Sequence, residues 1–239
     1  MHPTPAPTRG KEDYGVCAVG SADRTHPKPL LCESRAPISK YMKWERKMGS
    51  PMGYNFGMSP IHNRSGDDGS TGVLGEGRLP KYHARMETLG VLDEASAALG
   101  MARAQCKQPQ TSGILKEAQR DLYTIMAEAA ATPENVQRFR KLDAGRVEWL
   151  ETQIDGITAH APAPSEFILP GDSLPGAALD LARTTVRRAE RRVAGALDSG
   201  VIENRLILQY LNRLSSLCFT LELFENDQAG NPTTLAKEK

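Results

Sequence analysis

The sequence is poor in the residues from which metal and redox centres are built. Cysteine occurs four times, at Cys17, Cys32, Cys106 and Cys218, and never with CxxC spacing, which leaves zinc ribbons and thioredoxin-like chemistry without a basis. No secretory signal precedes these cysteines, so free thiols in a reducing compartment are expected in place of a disulfide framework. The five histidines stand singly and no HExxH occurs; any metal should be an oxygen-bound cofactor ion. No apolar run approaches the roughly 20 residues that span a bilayer, and no membrane partner is expected. An excess of one charge is also missing. The formal net charge is +1, so the global basic bias of a nucleic-acid binder is absent and no nucleic acid is expected as partner.

What remains is ordinary for a globular protein of one or two domains, with 39% hydrophobic and 25% charged residues. Residues 1–60 differ from the rest. Prolines at 3, 5, 7, 27, 29, 37, 51 and 60 interrupt a stretch with no sustained apolar period, a composition that cannot bury enough surface to order itself, and it reads as a disordered tail. A mitochondrial presequence is the alternative, opposed by Glu12, Asp13, Asp23 and Glu33, since such peptides are poor in acids. The third reading is a start at Met48, Met52 or Met58. The expected location is therefore cytoplasmic, or the mitochondrial matrix if the tail is a presequence.

From residue 83 onward the periodicity is helical and no convincing alternation of period two is found. In residues 83–106, Met86, Leu89, Leu92, Ala95 or Ser96, and Leu99 recur at helical spacing; in residues 114–131, Ile114, Ala118, Leu122, Ile125 and Ala129 do so. A third helix runs from about Asn135, with Leu142, Val147, Leu150 and Ile154 inward. A loop with four prolines, HAPAPSEFILPGDSLPG, leads to a fourth, whose buried face is expected to comprise Leu174, Ala178, Leu181, Thr185, Ala189, Val193 and Ala196. ENRLILQYLNRLSSLCFTLELFEN is the fifth. Five amphipathic helices with short connections predict an all-α antiparallel bundle over residues 61–230, followed by a C-terminal tail at 231–239.

Two features are not explained by a bundle core. LARTTVRRAERRVAGAL, residues 181–197, carries five arginines and one glutamate. At about 100° per residue, Arg183, Arg187, Glu190 and Arg191 share a stripe on the flank of the helix. Such a stripe is either a solvated charged face or a polyanion site, because guanidinium groups fix phosphate oxygens bidentately and keep their charge. SGDDGSTGVLGEG, residues 65–77, has glycine at 66, 69, 72, 75 and 77. Repeated glycine lets backbone amides approach an anion, although GVLGEGRL is no Walker A motif, because Arg78 stands where Lys is required and Leu79 where Ser or Thr should be.

In order along the chain come SGDDGSTG, RLPK, METLGVLDE, FILPG, ARTTVRRAERR and LNRLS. With these motifs the chain from about Ile61 to Asn226 resembles the PduO-type ATP:cob(I)alamin adenosyltransferases, the family that includes the human mitochondrial enzyme of vitamin B12 metabolism. The resemblance implies a homotrimer of five-helix bundles that transfers the 5′-deoxyadenosyl group of ATP to cob(I)alamin and releases triphosphate, with Mg2+ accompanying ATP and an adenosylcobalamin-dependent enzyme as a possible downstream partner. It implies an ATP site at the subunit interface, to which Asn63, Arg64, Ser65, Gly66, Thr71, Gly72 and Lys81 contribute from one side. Arg187, Arg188, Glu190, Arg191 and Asn212 contribute from the other.

Lys81, Arg187 and Glu190 are the catalytic candidates: the cations would stabilise the departing triphosphate, and Glu190 would orient an arginine or help to hold magnesium. No protein nucleophile is required, because reduced cobalt is itself the attacking group. By the same resemblance Phe167 packs beneath the corrin ring, displacing the lower ligand, and Asp93 pairs with Arg183 of an adjacent subunit. The chain departs from the family pattern at Asn63 and Ser65, where Thr is usual, at Tyr82 and His83, where acids are common, at Asp172 in place of Gly, and at Ser216 in place of Asp. The alternative to an enzyme is a trimeric nucleotide- or corrinoid-binding protein without transferase activity, acting as a carrier or regulator.

Overall fold

The computed structural model describes residues 64–161 and 163–237; the N-terminal segment 1–60 and Asn63 lie outside the described residues. The glycine-rich region is a short antiparallel hairpin of β1 (Ser70–Gly72) and β2 (Arg78–Pro80), with Ser70 opposite Pro80 and Gly72 opposite Arg78. These strands are three residues each, too short for alternation to show in the sequence. Then follow α1 (Ala84–Gln105), α2 (Pro109–Ala130), the single turn α3 (Val136–Phe139), α4 (Ala144–Thr158), α5 (Leu174–Asp198) and α6 (Arg205–Gln228). The expected third helix is thus interrupted: Asp143 starts α4 afresh, its carboxylate accepting from the Arg146 backbone N–H at 3.1 Å.

Packing runs α2, α1, α5, α6, α4, with α5 held between α1 and α6. The buried stripe of α5 is Ala178, Leu179, Ala182, Val186, Ala189, Val193 and Ala196. Of the residues expected inside, Leu174 is 78% and Leu181 59% exposed, and Thr185 is half-buried. The buried stripe is rotated from the expected one towards Leu179, Ala182 and Val186, where α5 packs between α1 and α6. In α2 all five expected positions are buried, and in α1 Leu92, Ala95 and Leu99 are joined by Thr88, Val91 and Ala102. Val147 and Leu150 of α4 are buried as expected.

Polar anchors fix the helix ends. The Glu225 carboxylate, buried on α6, accepts from the backbone N–H groups of Lys107 (3.0 Å) and Gln108 (3.1 Å), capping α2 across the bundle. Arg85 donates to the carbonyls of Ala129 (2.8 Å), Ala131 (2.8 Å) and Val201 (2.7 Å), pinning the end of α2 and the α5–α6 turn to the start of α1. The hairpin is riveted to this end, because Leu74 bridges to Ala131. Gly75 makes that approach possible: a Cβ there would sit 2.3 Å from the Thr132 hydroxyl oxygen, and its φ is +151°.

Candidate functional site

The arginine stripe lines two adjoining clefts. In the first, of about 410 Å³, Arg187, Glu190, Arg191 and Ala194 of α5 face Leu208, Gln209, Asn212 and Arg213 of α6. Glu190 is the hub. One of its oxygens accepts from the Asn212 Nδ2 at 2.9 Å and the other lies 3.6 Å from the Arg187 guanidinium. Arg213 donates to the Asn212 Oδ1 at 2.8 Å and to Glu151 of α4 at 2.7 Å. The amide of Asn212 is thereby fixed by an acceptor on its nitrogen side and a donor on its oxygen side. Of the two roles open to Glu190 in the sequence, orientation of an arginine has a geometric counterpart.

The second cleft, of about 520 Å³, is lined by the FILPG loop on one side and by α5 and α6 on the other, with Phe167, Asp180, Arg183, Ser216 and Phe219 among its walls. Arg187 lines both clefts. Phe167 is 86% exposed, so its ring is available to a ligand and is no core residue. Arg183 donates through Nε to Asp180 at 2.7 Å, one turn back on the same helix. Asp93 is exposed on α1 and makes no ion pair among the described residues; the Asp93–Arg183 pair expected between subunits has no counterpart within the chain. Ser216 is exposed at the cleft wall. On α6, Glu222 is fully buried, neither carboxylate oxygen has a hydrogen-bond partner, and burial, with Asp180 beside it, pushes its pKa up to about 7 despite Arg183 nearby.

The remaining sequence-predicted residues lie elsewhere. Arg188 pairs with Glu94 of α1 and does not line the Arg187 cleft. Arg64, Ser65, Gly66, Thr71, Gly72 and Lys81 belong to the hairpin, whose own cleft is lined by Asp68, Gly69, Ser70, Pro80, Lys81, Tyr82 and Glu87. The hairpin is tied to the end where α5 finishes, and roughly 16 Å of helix axis separate Arg187 from Asp198. No residue lines both the hairpin cleft and the Arg187 cleft. Within one chain the two halves of the expected nucleotide site are not brought together.

Gly66 is needed for a side chain: the Lys81 ammonium would be 2.9 Å from a Cβ at this position. Arg78, which the sequence presents only as a mismatch to a phosphate loop, holds the hairpin. It donates to the Ser70 hydroxyl at 2.7 Å, to the Ser70 carbonyl at 3.1 Å and to the Ser65 carbonyl. Asp68 closes the turn by accepting from the backbone N–H and hydroxyl of Ser70, which holds its carboxyl below the ordinary 3.8. Its place three residues after Ser65 and two before Ser70, in a run of turn formers, was the signal available in the sequence.

Among the described residues no three His, Cys, Asp or Glu side chains gather so as to hold a metal ion, and no helix is long and apolar enough to cross a membrane. The profile of the family described as cobalamin adenosyltransferase matches residues 61–225. The corrinoid adenosyltransferase of Bacillus subtilis (strain 168) is 37% identical over 174 residues, 71% of this chain and 88% of the relative. That of Mycobacterium tuberculosis (strain ATCC 25618 / H37Rv) is 38% identical over 176 residues, 71% of this chain and 90% of the relative. Among solved structures, a variant PduO-type ATP:corrinoid adenosyltransferase from Lactobacillus reuteri, complexed with cobalamin and ATP, superposes with a TM-score of 0.69 at 30% identity, covering 74% of this chain and 99% of that one. The match takes in the hairpin, the arginine helix and the LNRLS segment together, and with that extent the chain belongs to the cobalamin adenosyltransferase family.

Proposed function

We propose that this chain transfers the 5′-deoxyadenosyl group of ATP to the cobalt of cob(I)alamin, forming the Co–C5′ bond, breaking the C5′–O bond and releasing triphosphate. The observation that carries the reading is the position of Arg187, which lines both the cleft of Glu190, Arg191 and Asn212 and the cleft of Phe167. A cation at that junction stands where phosphate charge and a corrinoid would meet.

Arg187 and Arg191 bind the triphosphate, and Glu190, itself held by Asn212, keeps Arg187 in register; preorganised charge of this kind costs no rearrangement as negative charge develops on the leaving group. Lys81 and the hairpin backbone of a neighbouring subunit complete the nucleotide site. The separation of the two halves within one chain supports that arrangement, as do Leu174 and Leu181, exposed on one face of α5. The assembly is a homotrimer, with Asp93 of one subunit meeting Arg183 of the next. Phe167 occupies the lower side of the corrin ring.

Mg2+ accompanies ATP. Glu190, the carboxylate lining the cleft with Asn212, is engaged by the Asn212 amide and the Arg187 guanidinium, so the ion would be held by the triphosphate oxygens and water. Such an ion neutralises phosphate charge.

The test is incubation of the protein with ATP and chemically reduced cobalamin while the visible spectrum of the corrinoid is followed. Conversion to the adenosylcobalamin spectrum with release of triphosphate is expected. ATP binding without spectral change would leave only a binding protein.

A further inference from the structure

We propose that residues 231–236 form a strap that positions Phe167 for the corrinoid, with Asp172 and Thr234 as its fastening; this rests on the reading of Phe167 given above. A ring that is 86% exposed is not held by its own packing, because burial is what restricts a core side chain. Its backbone must therefore be held, and the holding group comes from the far end of the chain. The Ala236 N–H donates to the Phe167 carbonyl at 2.7 Å, the Leu169 N–H donates to the Thr234 carbonyl at 2.8 Å, and Ile168 faces Leu235 in an antiparallel bridge. Successive side chains of an extended segment point to opposite faces. Ile168 accordingly packs against the core, while Phe167 stands at the cleft wall and Leu169 is also exposed.

So short a pairing is marginal by itself, and three further bonds fasten it. The Asp172 carboxylate accepts from the Thr234 N–H at 2.9 Å and from the Thr234 hydroxyl at 2.6 Å. Asn231 donates from its side chain to the Asp172 carbonyl at 2.8 Å. The strap is tied to the end of α6 where the Asn231 N–H donates to the Asn226 carbonyl at 3.0 Å. Asp172, one of the departures from the family pattern, thus has a definite task, and residues 231–236 are more than the tail expected of them. Asp172 and Thr234 touch neither substrate and are positioning residues.

The experiment measures, in the full-length protein with ATP bound, the fraction of added cob(II)alamin that becomes four-coordinate, read spectroscopically, together with steady-state kinetics and melting. Ala236→Pro removes the N–H that holds Phe167, and Ala236→Gly keeps it. Asp172→Ala removes the two carboxylate bonds to Thr234, whereas Thr234→Ser keeps the hydroxyl. Ala236→Pro and Asp172→Ala should lower the four-coordinate fraction and cut kcat about fivefold, as expected for losing one or two exposed charge-assisted or backbone hydrogen bonds. KM for ATP and the melting temperature should stay at wild-type values, and Ala236→Gly and Thr234→Ser should behave as wild type. Retention of the full four-coordinate fraction in both disrupting variants, while Phe167→Ala loses it, would overturn the strap and leave the role of Phe167 intact. If Phe167→Ala also retains it, both fall. A parallel loss of ATP affinity and melting temperature in the disrupting variants would make the strap a general stabiliser and overturn its positioning role.

Discussion

Glu222→Gln should stabilise the protein at alkaline pH and do little at acid pH. Glu222 is fully buried on α6 with both carboxylate oxygens unpartnered, and its surroundings are more acidic than basic: Asp180 and Asp172 raise its pKa, and Arg183 alone opposes them. Its pKa rises from the ordinary 4.5 to about 7, with desolvation the largest cause. A carboxyl whose folded pKa is raised holds its proton more tightly in the folded state. Folding therefore loses stability as pH rises from the unfolded value through the folded one, and the loss is complete above it. A rise of this size corresponds to about 3 kcal/mol in full, of which about 2.5 kcal/mol falls between pH 5 and pH 8. Glutamine keeps the shape and cannot ionise.

The assay is urea unfolding of wild type and Glu222→Gln at pH 5, 6, 7 and 8, at one protein concentration because any oligomer makes stability concentration-dependent. The variant should gain on wild type by about 2.5 kcal/mol across that range, which for a domain of this size is roughly 5–10 °C in Tm. Parallel pH profiles would refute the reasoning, since they would mean that Glu222 is as well solvated when folded as when unfolded.

Arg187→Ala should raise KM for ATP and slow transfer by the roughly 1.5 to 3 kcal/mol that a hydrogen bond from a charged donor is worth, while Arg192→Ala, outside both clefts, should change neither; equal effects in kinetic assays would return the stripe to a generic charged face. Arg85→Met removes three bonds to main-chain carbonyls and should cost about 2 kcal/mol, or roughly 4–8 °C by calorimetry; an unchanged Tm would show that water replaces the guanidinium without loss. Gly66→Ala places a methyl carbon 2.9 Å from the Lys81 ammonium, the mobile end of a flexible side chain. The fold should tolerate it, with Tm unchanged, while KM for ATP rises as Lys81 is displaced; the reverse pattern, lower Tm with normal kinetics, would remove Lys81 from the nucleotide site.

The sequence by itself determined the helices, because their signal is local. Ile114, Ala118, Leu122, Ile125 and Ala129 repeat at the helical period and all five are buried, and the stripe of Arg183, Arg187, Glu190 and Arg191 follows from the geometry of one helix. The motif order was legible for the same reason, and it carried the family assignment. Tertiary structure decided everything that depends on a partner distant in sequence. Leu181 lies outside, because hydrophobicity cannot tell a buried face from one left open, whereas packing between α1 and α6 buries Leu179, Ala182 and Val186. Glu190 had two possible roles until Asn212, 22 positions later, fixed its carboxylate. Nothing near residues 231–236 announces that they would bind back to Phe167, since the bonds join backbone groups that every residue carries. Only the folded chain decides which of them meet.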